Sequence, residues 1–140
     1  MSAAHIPDGY APYVRRSPLT DPWEPLFERR VGDATRLALQ VREAHCNSRS
    51  FAHGGLITAL ADNAMGISAV LVARAGGAGE TTGAVTVSIS TDFIDSGKLG
   101  DWIEFHPSVL KTGRTLAFVE CHVKCGERLI ARCNATFRIV

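Results

Sequence analysis

A single carboxylate, Asp62, sits inside a proline-free, mostly apolar run over residues 53–75 that reads HGGLITALADNAMGISAVLVARA. Burying an ionised carboxylate among apolar groups costs several kcal/mol unless it is hydrogen-bonded or faces a polar cavity, so this one needs a partner or a task. The same run opens on His53-Gly54-Gly55. If the run is a helix, its first turn presents backbone N–H groups without intrahelical acceptors, and the aligned peptide dipoles add partial positive charge there. Two glycines let a ligand approach that backbone closely. The residue types therefore pair an anion-attracting helix start with a carboxylate two turns further on. Structural networks also hold buried acids, so a plain hydrogen-bond acceptor at position 62 stands beside a functional one. Asn63 makes no comparable claim.

These groups need a helix to carry them, and the composition of residues 53–75 reads as a buried one, roughly 30 Å long. At a 3.6-residue period Gly55, Thr58, Ala59, Asp62, Met65, Gly66 and Ala69 share one small, slightly polar face. Leu56, Ile57, Leu60, Ala64, Ile67 and Leu71 are expected on the core. The glycines of residues 76–79 end the helix. Ahead of it, residues 1–20 read as an extended arm with little structure of its own, and residues 21–27 as a short helical turn with Asp21 as cap and Pro22 first inside. Residues 29–41 alternate as a hairpin turning near Gly32-Asp33, and residues 42–52 form a polar loop. Behind the helix come strand-like runs at 84–94, 102–110, 115–124 and 129–139, the middle two joined by a tight turn at Lys111-Thr112-Gly113-Arg114. In the first of them Val85, Val87 and Ile89 alternate with Thr86, Ser88 and Ser90, which puts Thr86 on the polar face. The runs make an antiparallel meander. One long helix with about six antiparallel strands is an α+β fold in which the sheet wraps the helix, a single domain over residues 21–140.

Composition narrows the function classes. A chain of 140 residues is one domain's worth, and 15 basic against 14 acidic residues leave a formal charge of +1, too little for nucleic-acid binding by bulk electrostatics. The first twenty residues hold no apolar segment of the secretory type. Residues 56–75 have membrane-spanning length, but Asp62, Asn63 and Arg74 interrupt them and amphipathic strands follow, so no membrane span is expected. Cys46, Cys121, Cys125 and Cys133 lack metal-ligand spacing; they read as small apolar residues of a protein in the reducing cytoplasm, and no metal is expected. His5, His45, His106 and His122 fit no constellation.

The ordered set Asn47-x5-His53-Gly54-Gly55-x6-Asp62, the strand Val85-Thr86-Val87, Lys98-Leu99-Gly100-Asp101 and the hairpin Val109-Leu110-Lys111-Thr112-Gly113-Arg114-Thr115-Leu116-Ala117-Phe118 resembles the hotdog-fold acyl-CoA thioesterases, specifically their PaaI-type branch, over roughly residues 23–140. The resemblance implies hydrolysis of an acyl-CoA thioester to free acid and CoA. It implies Asp62 as nucleophile or general base, and the Gly55 N–H as donor to the developing oxyanion, a role commonly worth ~3 kcal/mol per donor. Asn47 would position water or thioester, Thr86 would hold water or the carboxylate, and His53 is either part of the site or a fixer of the loop. Gly54 would border the substrate. Lys111 and Arg114 would meet CoA phosphates or else be solvated turn charges. Met65, Ala69, Val85 and Ile89 would line the acyl pocket. Many relatives have a glycine a few residues before the HGG, where this chain has Ser48-Arg49-Ser50-Phe51-Ala52. The resemblance further implies no cofactor beyond the CoA of the substrate, and a homo-oligomer: a dimer with a shared site, assembled as a tetramer. A non-catalytic acyl-CoA or acyl-carrier binding protein is the alternative, because the fold does not fix the function.

Overall fold

The structure, a computed structural model, describes residues 5–77 and 83–140. Helix α1 (Gly54–Ala75) has 22 residues. No proline interrupts it, and His53 caps its start by accepting a hydrogen bond from the Gly55 N–H. Gly76 follows its last turn and Gly77 takes a positive φ of 88°, which a residue with a side chain resists. The expected stop thus falls on Gly76 and Gly77, while Ala78 and Gly79 lie outside the described residues. By length and composition this helix is apolar enough to cross a membrane, yet more than half of its apolar stretch is buried inside the protein. Its apolar surface is spent on the sheet.

The strands are β1 (Ala11–Pro12), β2 (Phe27–Val31), β3 (Ala34–Gln40), β4 (Ala84–Phe93), β5 (Trp102–Thr112), β6 (Leu116–Cys125) and β7 (Arg128–Ile139). They form one seven-stranded sheet in the order β1-β2-β3-β5-β6-β7-β4. Every pairing in it is antiparallel. Alternation sets the inner face: Leu37 and Leu39, Ile103 and Phe105, Ala117, Val119, Cys121 and Val123, and Ala131, Cys133, Ala135 and Phe137 are all buried against α1. This is the α+β, helix-in-sheet architecture that the hydrophobic periods imply.

Strand order departs from a simple meander. β5, β6 and β7 are sequential neighbours, but β4 pairs with β7 instead of β5. The slot beside β3 is taken by β5, through Leu37 opposite Phe105 and Leu39 opposite Ile103. Those apolar pairs complete the core. β4, rich in Ser and Thr, is left to the far edge, where a strand with a wet face fits.

Residues 5–20 hold two turns, at 8–9 and 18–20, and the stretch between them is extended but fastened. β1 pairs with β2, the Tyr13 N–H donates to the Leu26 carbonyl at 2.9 Å, and the Tyr13 side chain is only 5% exposed. The Tyr10 ring meets Trp102 edge-on at 5.5 Å. The turn that follows is a 3-10 helix, Asp21–Trp23, with Thr20 rather than Asp21 in the cap position. The loop before α1 holds a second 3-10 turn, Glu43–His45.

Candidate active site

Two hydroxyl contacts lay β4 along the helix: Thr91 against Thr58 at 3.0 Å, and Thr86 Oγ1 donating to Asp62 Oδ1 at 2.5 Å. Residues 86 and 91 are an odd number apart, so in a regular strand they would point to opposite faces. A register shift between Thr86 and Ser88 reconciles them. The extra residue, Val87, bulges out to 61% exposure, and Thr86 turns inward opposite Phe137. The expected common face of Val85, Val87 and Ile89 is broken at the bulge, while Thr86, on the opposite face from Val85, meets the acid. The bulge is the device that brings it to the acid.

Asp62 is half-buried. It lines a cavity of about 320 Å³ with Tyr13, Arg15, Asn63, Thr86 and Phe137 among its walls. Gly66 belongs to the same wall, and a Cβ there would come within 3.3 Å of the Phe137 ring. The acid therefore meets open, partly polar space, which removes the desolvation problem that its sequence context poses.

The outward strip of α1 is rotated from the expected face. Met65 and Ala69 are fully buried in the core cluster, so neither reaches the cavity. Val85 lies opposite Arg138 on the sheet's outer face, and Ile89 packs against the core. Asn63, for which no role is expected, borders the acid's cavity and donates from Nδ2 to the Tyr13 hydroxyl at 3.5 Å. Gly66, Ile67, Val70, Ala84 and Phe137 supply the apolar walls that Met65 and Val85 were expected to supply.

At the helix start the expected oxyanion donor is already engaged. His53 Nδ1 accepts the Gly55 N–H at 2.8 Å, so this donor reaches a substrate only when the His53 ring turns aside. His53 is exposed, and rotation about its side-chain bonds is open to it. Asn47 Oδ1 accepts from the Arg49 N–H at 2.9 Å and the Phe51 N–H at 3.2 Å, an arrangement that folds the loop. Within that loop Ser50 adopts φ 64°. That left-handed backbone is uncommon for a residue with a side chain. Gly54 lies under the Phe93 ring, 3.0 Å from where a Cβ would stand.

A separate cavity of about 330 Å³ opens at this end, lined by His53, Gly55, Leu56, Trp23, Cys46 and His45. Within one chain Gly55 and Asp62 therefore border different spaces. The buried His45 supports the loop: its Nδ1 accepts the Arg42 N–H at 3.0 Å and its Nε2 donates to the Trp23 carbonyl at 2.8 Å. That pattern needs the neutral ring. Burial holds its pKa below the ordinary histidine value, with the Arg42 charge acting the same way and the Trp23 carbonyl opposing.

Lys111 and Arg114 are exposed on the β5–β6 hairpin. Through Ala117 opposite Phe137, and Phe137 opposite Thr86, the hairpin shares a sheet end with the acid and lies away from Gly55. Among the described residues no cluster of three or more His, Cys, Asp and Glu side chains is placed to hold a metal. Cys121 and Cys133 face each other across β6 and β7 as free, buried thiols whose pKa values burial pushes up.

A long helix wrapped by one antiparallel sheet, with a mid-helix acid held by an edge-strand hydroxyl, defines a hotdog domain. The chain belongs to the thioesterase superfamily, whose family model matches residues 50–131. It is 38% identical over 138 residues to a putative esterase of Pseudomonas aeruginosa, covering 96% of this chain and 98% of that protein. It is 33% identical over 117 residues to acyl-coenzyme A thioesterase 13 of Homo sapiens, covering 76% of this chain and 79% of that one. Among solved structures, the smu.793 protein of Streptococcus mutans bound to acetyl CoA superposes with a TM-score of 0.68 at 26% identity, over 77% of this chain and 82% of that one.

Proposed function

We propose that the protein hydrolyses an acyl-CoA thioester to the free acid and CoA, with Asp62 as the reacting carboxylate. The observation that carries this reading is the Thr86–Asp62 hydrogen bond at the wall of an open cavity. As general base, Asp62 takes a proton from water while the hydroxide adds to the thioester carbon; the tetrahedral oxyanion then collapses, the C–S bond breaks and the thiolate leaves. As nucleophile, the carboxylate adds directly, expels the thiolate and leaves a mixed anhydride that water opens. In both cases the Thr86 hydroxyl orients the carboxylate, and the Gly55 N–H, freed from His53, steadies the oxyanion. The reaction needs no metal or bound cofactor.

The active unit in this reading is a dimer. Gly55 and Asp62 of one chain border different cavities, and β4 ends the sheet with Val85 and Val87 exposed at 53% and 61%. Antiparallel pairing of two β4 edges about a two-fold axis closes both open edges and brings the helix start of one chain toward the acid of the other. Two such dimers then make the tetramer. Lys111 and Arg114, at the sheet end that carries the acid, are the cations we assign to the CoA phosphates.

Thiol release from short, medium, long and aromatic acyl-CoAs tests the reading. Turnover of at least one class is expected. Tight binding without release from any class would make the protein a non-catalytic acyl-CoA binder instead.

A further inference from the structure

The cavity that holds Asp62 has further polar groups on its wall, supplied by the N-terminal arm. Tyr13 is buried, and the arm is held in register by the β1–β2 pairing and the Tyr13 N–H to Leu26 carbonyl bond. Asn63 Nδ2 donates to the phenol oxygen at 3.5 Å, which uses the hydroxyl as acceptor and leaves its own proton to donate. Among the described residues no acceptor takes that proton. Burial pushes the phenol's pKa up, so the proton stays in place at neutral pH. Arg15, two residues along the same extended segment and therefore on the same side, also lines the cavity. Together with Ile67 it marks the border to a neighbouring cavity that contains Glu28. Ile67 lies five residues beyond Asp62, about 7.5 Å by helical rise.

Asp62 therefore shares this space with a phenol donor, which Asn63 holds, and with a guanidinium at the border to the neighbouring cavity. We propose that Tyr13 and Arg15 determine specificity by reading the far end of the acyl group, and that the preferred acyl group carries an oxygen acceptor there, a terminal carboxylate above all. This rests on the thioesterase reading and names its substrate class. The phenol proton would donate to one oxygen of that group, and the guanidinium would neutralise its charge. An apolar acyl end would leave the buried phenol donor without a partner, which is how a polar pocket rejects an isostere.

The test compares kcat/KM for three CoA thioesters of matched length: glutaryl, 5-oxohexanoyl and 5-methylhexanoyl. Wild-type protein is expected to favour glutaryl and 5-oxohexanoyl over the methyl isostere by about tenfold, as for one buried hydrogen bond. Tyr13→Phe is expected to collapse that ratio, which is read within each protein so that a general loss of activity cancels. Arg15→Gln, at an exposed position, keeps the fold if the first variant does not. It is expected to remove the preference for glutaryl over 5-oxohexanoyl. Equal use of the three thioesters, or preferences that survive both substitutions, would overturn the inference and leave the thioesterase reading standing. Absence of thiol release from every acyl-CoA would overturn both.

Discussion

Replacing Thr86 by valine keeps the shape of the side chain and deletes the hydroxyl that donates to Asp62 at 2.5 Å. A hydrogen bond to a charged group contributes about 1.5–3 kcal/mol. Thr86 is exposed and Asp62 only half-buried, so water takes over part of the lost interaction and the lower end of that range applies. About 1.5 kcal/mol is close to a tenfold change in rate. Steady-state thiol release should therefore show kcat about tenfold lower with KM within about twofold, because the hydroxyl orients the reacting group and does not bind substrate. Thermal stability should change by less than about 0.5 kcal/mol at this edge-strand position. Thr86→Ser, which keeps the hydroxyl, should recover most of the rate. In an Asp62→Asn background Thr86→Val should cost nothing further, since the two groups act as one unit. An unchanged kcat with a shifted KM would make Thr86 a packing or binding residue. A full tenfold loss on top of Asp62→Asn would show that the hydroxyl works independently of the acid.

Asp62→Asn itself should lower turnover by about a hundredfold or more without lowering the melting temperature, because it keeps volume and removes the charge the chemistry needs; near-normal hydrolysis would remove the acid from the mechanism. Ser50→Gly should raise stability by about 0.5–1 kcal/mol, the left-handed φ of 64° costing serine more than the added chain entropy costs glycine, as read from urea midpoints. His45 is held neutral with its pKa below the ordinary value near 6.5, so the unfolded chain binds the extra proton: stability should be level above that pH and fall as pH drops below it, with the slope reduced in His45→Gln. If the site is shared between two chains, dissociating and remixing Asn47→Ala with Asp62→Asn should restore about one quarter of wild-type activity. Half the dimers are then mixed and half of their sites intact, whereas sites contained in one chain would recover nothing.

The helix and its acid were legible because an uninterrupted apolar run with glycines at both ends has few alternatives, and the strands because apolar and polar residues alternate. The rotation of α1 was not. A helix that is apolar nearly all round does not announce which strip faces out, so its period points to Met65 for the pocket and to no role for Asn63, whereas Met65 is fully buried and Asn63 lines the cavity. Strand alternation fails between Val87 and Ile89 for a related reason. The bulge at Val87 carries no glycine or proline to mark it, and only the helix contacts of Thr86 and Thr91 reveal that one residue is looped out. The order of strands depended on Leu37 and Leu39 finding Phe105 and Ile103, a pairing between segments more than sixty residues apart.

The helix start shows a further limit of reading residues one at a time. The sequence offered two roles for His53, loop fixer or site residue, and one for the Gly55 N–H, but the ring nitrogen and an incoming oxyanion need the same hydrogen. A cap of this kind contributes about 1 kcal/mol, whereas an oxyanion donor contributes about 3 kcal/mol in the transition state. The exchange is therefore favourable only when charge develops on the substrate oxygen. A neutral thioester carbonyl, which gains far less from the donor, leaves the histidine in place. On this reading His53 withholds the donor from the ground state and yields it to the transition state, which is the differential binding that accelerates a reaction.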